Sequence, residues 1–265
     1  MIETPSQEVG RAPEVLMPDS AQGAIAAFGD GADVTVFGGG TVLMPPITRS
    51  LLRPRRALFL KSAGLDRVES NGERVTLGAM LTLAALTTVA PEPVASAACI
   101  PDYEIRGQAT LGGNLFVQGD LQAPLLVLDG QVLSAGAGGQ RREPVADFLS
   151  ATEPRLVLGV DVRRPRAAAY VEQRRPHAHT FTVLSVAVAE FDDGIRVAVG
   201  GAEPRAVRAT SVERALAAGG ASAAAAEAIT QDVTTHDDEL ASAWYRQRVL
   251  PVLVARALDK LTETR

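Results

Sequence analysis

Two stretches of this sequence combine residue types able to hold an anion. The first, VFGGGTVLMPP (36–46), sets Gly38, Gly39, Gly40 and the hydroxyl of Thr41 directly after an apolar run, with Val42 and Leu43 leading to a proline pair. The second, IRGQATLGGNLFVQGDL (105–121), places Thr110 and Leu111 before Gly112, Gly113 and Asn114, with the carboxylate of Asp120 further on. Glycine lacks a Cβ, so such runs let backbone approach another object closely or take positive φ angles. Consecutive free amides make a concave array that binds phosphate oxygens without a lysine. Two arrays suit a pyrophosphate, with its two charges and many acceptors. Taken singly, either run is explained as well by an ordinary tight turn.

Other chemistries find less support. No G-x-x-x-x-G-K-[ST] stretch marks a P-loop, and no G-x-G-x-x-G follows a strand. His177 and His179 of PHAH share one face if extended, but no third metal ligand is evident, and His236 reads as a solvated residue before the last helix. No serine, histidine and aspartate arrangement suggests a hydrolase. No catalytic side chain and no metal ligand is assigned. The single cysteine, Cys99 in VASAACIP, excludes an internal disulfide and any four-cysteine cluster held by this chain alone; it reads as a small buried hydrophobe. Arg141, Arg142, Arg174 and Arg175 read as solvated or inter-subunit charges, and Tyr103, Tyr170 and Trp244 as packing residues.

The elements that must position the glycine runs follow from pattern. Asp19 or Ser20 can cap a helix presenting Ala24, Ile25 and Phe28, which Gly29 and Gly31 end. Val34–Phe37 then reads as a strand, so the first run lies at a strand end. RALFL (56–60) and RVTLGA (74–79) read as strands around a turn at 70–73, and Thr82 caps a helix through LAALTT. APLLVLDGQVLSAGAGGQ joins a helix, a strand and a glycine turn; RLVLGVDVR (155–163) alternates as a strand. Arginine and proline cluster near 161–166, where a boundary is expected. Beyond it, strands near 167–173, 180–191 and 194–200 include a hairpin at the Asp-Asp-Gly turn, 192–194. Helices follow, the last opening on Asp237, Asp238 and Glu239, with Pro251 inside it.

Composition bounds the partners. The chain has 265 residues, a formal net charge of -5, 46% hydrophobic and 22% charged residues, which describes a globular protein without the field that attracts nucleic acid. The opening MIETPSQEVGRAPEV lacks a positive region before an apolar core, no window approaches a spanning helix, and a cytoplasmic location is the expectation.

FGGGTVLMP and IRGQATLGGNL together resemble the paired flavin-binding motifs of the FAD-binding medium subunit of molybdenum hydroxylases, the group of xanthine dehydrogenase and carbon monoxide dehydrogenase. The likeness continues through RVTLGAMLTLAAL, DLQAPLLVLDGQV, IRVAVGGAEPRAVRAT and SAWYRQRVLPVLVARAL, and covers nearly the whole chain. It implies an α+β protein: two small α/β subdomains of the vanillyl-alcohol-oxidase type, about 1–60 and 61–163, that hold FAD, then a domain of antiparallel sheet and helices over 164–265. It implies a first cofactor wall of Gly38, Gly39, Gly40, Thr41, Val42 and Leu43. Thr110, Leu111, Gly112, Gly113 and Asn114 would form the second, and Asp120 would bind ribose hydroxyls, although the same carboxylate equally suits a helix N-cap.

In function, the resemblance implies an oxidoreductase subunit that takes electrons from [2Fe–2S] clusters of a small partner, fed by a molybdopterin-binding large partner. It would pass them to NAD, a quinone or oxygen. The alternative is a stand-alone FAD-dependent oxidase or dehydrogenase on the same scaffold, acting on a small organic substrate. Three departures from the family pattern bear on flavin reactivity: Val42 replaces an acidic or amide residue, the loop 115–119 is short, and Glu172 stands where lysine is common.

Overall fold

The chain is described by a computed structural model covering residues 12–175 and 181–264; His177 and His179 lie outside the described residues. The first unit comprises β1 (Glu14–Leu16), α1 (Ala21–Phe28), β2 (Val34–Phe37), α2 (Met44–Thr48) and β3 (Arg56–Phe59). Its strands form a parallel sheet in the order β1-β3-β2. Ser20 caps α1 by accepting the Gly23 amide at 3.2 Å, and Gly29, at φ +59°, ends it. The buried face of α1, Ala24 and Phe28, packs with Leu58 and Leu60 and reaches Leu156 of the next sheet.

The second unit runs β4 (Val68–Ser70), β5 (Arg74–Gly78), α3 (Leu83–Val89), α4 (Val94–Ala98), α5 (Tyr103–Gln108), α6 (Leu111–Asn114), α7 (Gln122–Val127), β6 (Gln131–Gly136), β7 (Gly139–Pro144), α8 (Val145–Ser150) and β8 (Leu156–Arg163). Its sheet is antiparallel, in the order β4-β5-β8-β6-β7. Thr82 caps α3 through the Ala85 amide. Cys99, expected to be buried, is exposed at the end of α4, where Ala97 and Ala98 take the core positions instead.

The third unit holds β9 (Ala167–Arg174), β10 (Thr182–Phe191), β11 (Gly194–Gly200), β12 (Val207–Arg208), α9 (Thr210–Ala217), α10 (Ser222–Ala226) and α11 (Ala243–Glu263). The four strands are antiparallel, in the order β12-β11-β10-β9, and the 192–194 turn joins β10 to β11 in an unbroken register from Phe191–Gly194 to Ser185–Gly200. One face of this sheet packs with α7 into the core of the second unit, through Tyr170, Ala187, Ala189 and Ala198. The other carries α11, which buries Leu250, Leu253, Val254, Ala257, Leu258 and Leu261. Among the described residues no helix is long and apolar enough to cross a membrane.

The last helix begins later than its acidic residues suggested. Ser242 is its cap, accepting the Tyr245 amide, and Asp237 and Asp238 lie in the preceding loop. The reason is a competing use for Asp238, while Asp237 still accepts the amide of Ala243, the first residue of α11, at 2.6 Å. Arg246 is fully buried, and its guanidinium donates to both oxygens of Asp238 at 2.7 Å and to the carbonyls of His236 and Ala241. Asp238 also accepts the amides of Leu240 and Ala241. Burial pushes the Asp238 carboxyl up, but Arg246 and these two amides outweigh it and bring it down to about 2. His236, read as solvated, is instead half-buried here, its ring Nδ1 2.9 Å from the Ala202 carbonyl oxygen.

Because the folded pKa of Asp238 lies below its ordinary value of 3.8, this clip is fully formed above about pH 4 and is lost as pH falls toward about 2. Replacing Asp238 with Asn, which leaves the buried guanidinium without its counter-charge, is expected to cost about 2–3 kcal/mol. Urea melts at pH 7 and pH 3 check both; equal losses at the two pH values would contradict the assignment.

Candidate functional site

The first glycine run leaves the carboxyl end of β2, the edge of a parallel sheet where open α/β proteins bind ligands. Phe37 and Phe59 stack beneath it with ring centroids 4.6 Å apart. Each glycine answers a different demand. A Cβ on Gly38 would lie 2.6 Å from Thr110 Oγ1; on Gly39 it would overlap the Gln108 carbonyl and come to 3.0 Å from Ala109 Cα. Gly40 has φ +75°, a conformation that costs other residues. The two runs, far apart in sequence, therefore meet backbone to backbone.

Pressed against 108–110, the first loop leaves its own polar groups without partners. Among the described residues, the amides of Gly38, Gly39, Gly40, Thr41, Val42 and Leu43 donate to no acceptor, and the Thr41 hydroxyl makes no hydrogen bond. The array ends where the Met44 amide returns to the Gly40 carbonyl at 2.9 Å and α2 begins, its prolines lacking N–H. Val42, exposed, points no polar group at this surface.

The second run is built differently, which corrects the expectation that both present free amides. Thr110 caps α6, its Oγ1 accepting from Gly113 at 3.3 Å. The Leu111 and Gly112 amides bind the carbonyls of Leu81 and Ala79, and those of Asn114, Leu115 and Phe116 close onto Thr110, Gly112 and Gly113. Leu111 and Gly112 are buried, and a Cβ at Gly112 would press on Ala79 at 3.1 Å. This run is a wall, with its donors spent on its own support. It offers the Thr110 hydroxyl proton and the Asn114 carboxamide oxygen, since Asn114 Nδ2 already donates to the Thr110 carbonyl at 2.9 Å.

Asp120 does not cap α7; Leu121 stands at that position without a side-chain cap bond. The Asp120 carboxylate accepts the Tyr170 hydroxyl of β9 at 2.9 Å. Burial raises the Asp120 pKa and nearby Glu172 adds to it, while the Thr182 and Tyr170 hydroxyls and Arg174 act against them. Tyr170 is itself pushed well above the usual phenol value by burial and by the Asp120 charge. Sequence reasoning gave Tyr170 a packing role without this partner, and it missed the carbonyl of Gln108, for which side-chain identity carries no signal. Glu172 is half-buried on β9, paired with Arg174 at 3.4 Å.

Other charged candidates are structural. Arg141 pairs with Glu153, Arg142 with Asp161, and Arg175 donates to the Glu239 carbonyl. Tyr103 and Trp244, expected to pack, are exposed. An open groove of about 450 Å³ lies away from the glycine runs, between β9 and the end of α11. Its Arg256, Lys260, Glu172, Asp259 and Glu263 mix both signs, and Lys260 is bound to the Tyr170 carbonyl, so we do not place the site there. Among the described residues no group of three or more histidines, cysteines or carboxylates could hold a metal.

Against known proteins, the sequence profile of the FAD binding domain in molybdopterin dehydrogenase matches residues 9–162, and that of the CO dehydrogenase flavoprotein C-terminal domain matches 168–261. This chain belongs to the FAD-binding molybdopterin dehydrogenase family. It is 27% identical to the 6-hydroxypseudooxynicotine dehydrogenase complex subunit alpha of Paenarthrobacter nicotinovorans, over 93% of each chain. It is 28% identical to the nicotine 6-hydroxylase medium subunit of the same organism, over 91% of this chain and 94% of that one. In fold it is similar to a carbon monoxide dehydrogenase structure from Hydrogenophaga pseudoflava, with a TM-score of 0.83 at 22% identity, covering 96% of this chain and 98% of that one.

As a member of this family the chain is an FAD-binding oxidoreductase, and its geometry fits the cofactor. Six unpaired amides in one loop supply the donors a dinucleotide's phosphates need, and the missing side chains of Gly38 and Gly39 let that loop lie against Gln108 and Thr110. Substituting Gly39 with Ala is expected to force the loop off the Gln108 carbonyl and to lower FAD retention by tenfold or more, about 1.4 kcal/mol. Gly107→Ala, whose Cβ would meet open space, should retain FAD and serves as the control. The ratio of flavin to protein absorbance after gel filtration reads both; full flavin content in the Gly39 variant would contradict the role of this contact.

Proposed function

We propose that this chain is the electron-transferring flavoprotein subunit of a molybdenum-cofactor hydroxylase complex. Its partners would be a molybdopterin-binding large subunit and a small subunit with two [2Fe–2S] clusters. The observation that carries the reading is the row of unpaired amides from Gly38 to Leu43, held open by the second motif. The curated relatives named as a complex subunit and a medium subunit support it. When bound, the flavin supplies the redox chemistry, accepting electrons from a partner's clusters and releasing them to NAD, a quinone or oxygen.

This chain's own residues bind and orient. The amides of residues 38–43 hold the phosphates with fixed dipoles, which suits a chain of net charge -5 that offers no general positive field. Thr41 and Thr110 add hydroxyls from either wall; Gly112, Gly113 and Asn114 shape the second wall, with Leu111 anchoring it in the core. Asp120 is assigned to the ribose hydroxyls, beside the Tyr170 and Thr182 hydroxyls that already face its carboxylate. We assign residues 1–163 to FAD binding, in subdomains of about 1–60 and 61–163, and 164–265 to the flavoprotein domain that backs it.

Two measurements test this. The purified chain is expected to be yellow and, without partners, inert toward small organic reductants; co-expressed with molybdopterin and iron–sulfur subunits, its flavin should be reduced by the complex's substrate. Flavin reduction by a small substrate in the isolated chain would favour a stand-alone flavoenzyme instead. For Asp120, the variant Asp120→Asn is expected to weaken FAD binding about tenfold while Tyr170→Phe, which keeps the carboxylate, costs about 1 kcal/mol of stability with little change in affinity. Equal affinity in both variants and the parent would remove Asp120 from the site.

A further inference from the structure

We propose that Gln122 is a positioning residue for FAD, holding the segment between Asn114 and Asp120 against the turn 201–206 of the third unit; the inference rests on the placement of those two residues in the site above. Residues 115–120 form neither helix nor strand, and among the described residues no backbone–backbone hydrogen bond involves 117–120. A Cβ on Gly119 would come to 3.0 Å from Asn114 Oδ1, so the segment closes onto the oxygen that this carboxamide leaves free. Both ends of the segment therefore belong to the site, while its middle has no ladder to fix it.

Gln122 supplies what the backbone lacks. It stands at the first position of α7 and is 1% exposed. Its Nε2 donates to the carbonyls of Leu115 at 3.2 Å and Val117 at 2.8 Å, and its Oε1 accepts the Ala206 amide at 3.0 Å. Turning the carboxamide over would face its oxygen to two carbonyls and its NH₂ to an N–H, so one orientation alone satisfies these partners. One end of the side chain is thus committed to the segment and the other to the third unit. A buried carboxamide is costly unless its groups are paired, and none of these bonds is made within α7. Stabilising its own helix is therefore not its use. Two longer contacts follow the same path: Arg205 Nη1 donates to the Leu115 carbonyl and Gln118 Nε2 to the Glu203 carbonyl, each at 3.4 Å. The turn is itself anchored. Gly201 has φ +79°, a Cβ there would overlap the Val183 carbonyl, and the Glu203 carboxylate accepts the Thr234 amide at 2.8 Å. The third unit thereby reaches the cofactor residues Asn114 and Asp120 through a single glutamine.

Gln122→Met keeps the length of the side chain and removes all of these carboxamide bonds. Val254→Ala, a truncation in the core beneath α11, lowers stability without touching the segment. As full chains, these two variants, the parent and Asp120→Asn are titrated with FAD, and the visible circular dichroism of the bound flavin is recorded. The expected result is roughly tenfold weaker FAD binding and an altered flavin dichroism in Gln122→Met, against parental values in Val254→Ala. Parental affinity and dichroism in Gln122→Met, or an equal loss of FAD in Val254→Ala, would overturn the positioning role. If Gln122→Met yields no folded chain, Gln118→Ala/Arg205→Ala, made at two exposed residues, decides: a changed dichroism supports the path from turn to flavin, and an unchanged one overturns it. Asp120→Asn keeps the two readings apart. Parental affinity in that variant removes Asp120 from the site and this inference with it, whereas weakened binding there beside parental binding in Gln122→Met overturns the positioning role alone.

Discussion

The site depends on one steric contact: the backbone of Gly38 and Gly39 lies directly against the chain from Gln108 to Thr110, at a separation that excludes a Cβ. Hydrogen bonding is not what joins the two loops there; close packing is, and the first loop's amides find no acceptor among the described residues. Had that loop been allowed to turn back on itself, its N–H groups would have found internal acceptors, as backbone groups in compact folds nearly always do. The second run shows that outcome, with each amide from Leu111 to Phe116 donating within the protein. One glycine run thus leaves its amides unpaired while the other's are satisfied.

Rigid support for the wall comes from two directions. The amides of Leu111 and Gly112 tie α6 to the carbonyls of Leu81 and Ala79, beside β5, and the buried side chains of Leu111 and Leu115 belong to the core that joins the second and third sheets. From the other side, β9 reaches in through Tyr170, whose hydroxyl meets Asp120 and whose carbonyl accepts Lys260 of α11 at 3.0 Å. A chain of polar contacts therefore runs from the last helix to the loop after the second motif, in surroundings where unpaired groups are costly. The third unit is part of the site's foundation even though it contributes neither glycine run.

Much of this was legible in the sequence where the signal is local. The strand before the first run, the caps at Ser20 and Thr82 and the hairpin at 192–194 each announce themselves through residue types acting on their own neighbourhood. What was not legible depends on partners distant in the chain. The sequence shows that Gly112 and Gly113 are flexible, but whether their amides are free is decided by Ala79 and Leu81, which a motif does not contain. The acids at 237–239 suggested a helix start because the macrodipole favours them; the buried Arg246 claimed Asp238 instead and moved the helix start to Ser242. Cys99 followed the same logic, since its neighbours Ala97 and Ala98 filled the core positions first.

Recognition through main-chain donors has an evolutionary corollary. An amide at position 42 is the same whether the residue is valine, aspartate or asparagine, so selection on cofactor retention leaves that side chain free to drift and to be recruited for other tasks. The glycines enjoy no such latitude, because it is their missing atoms that the neighbouring strand of backbone reads. Across relatives of this chain, identity should persist at the positions that contact protein, and diversity should gather at those that point toward the ligand, the reverse of what sites built from side chains display.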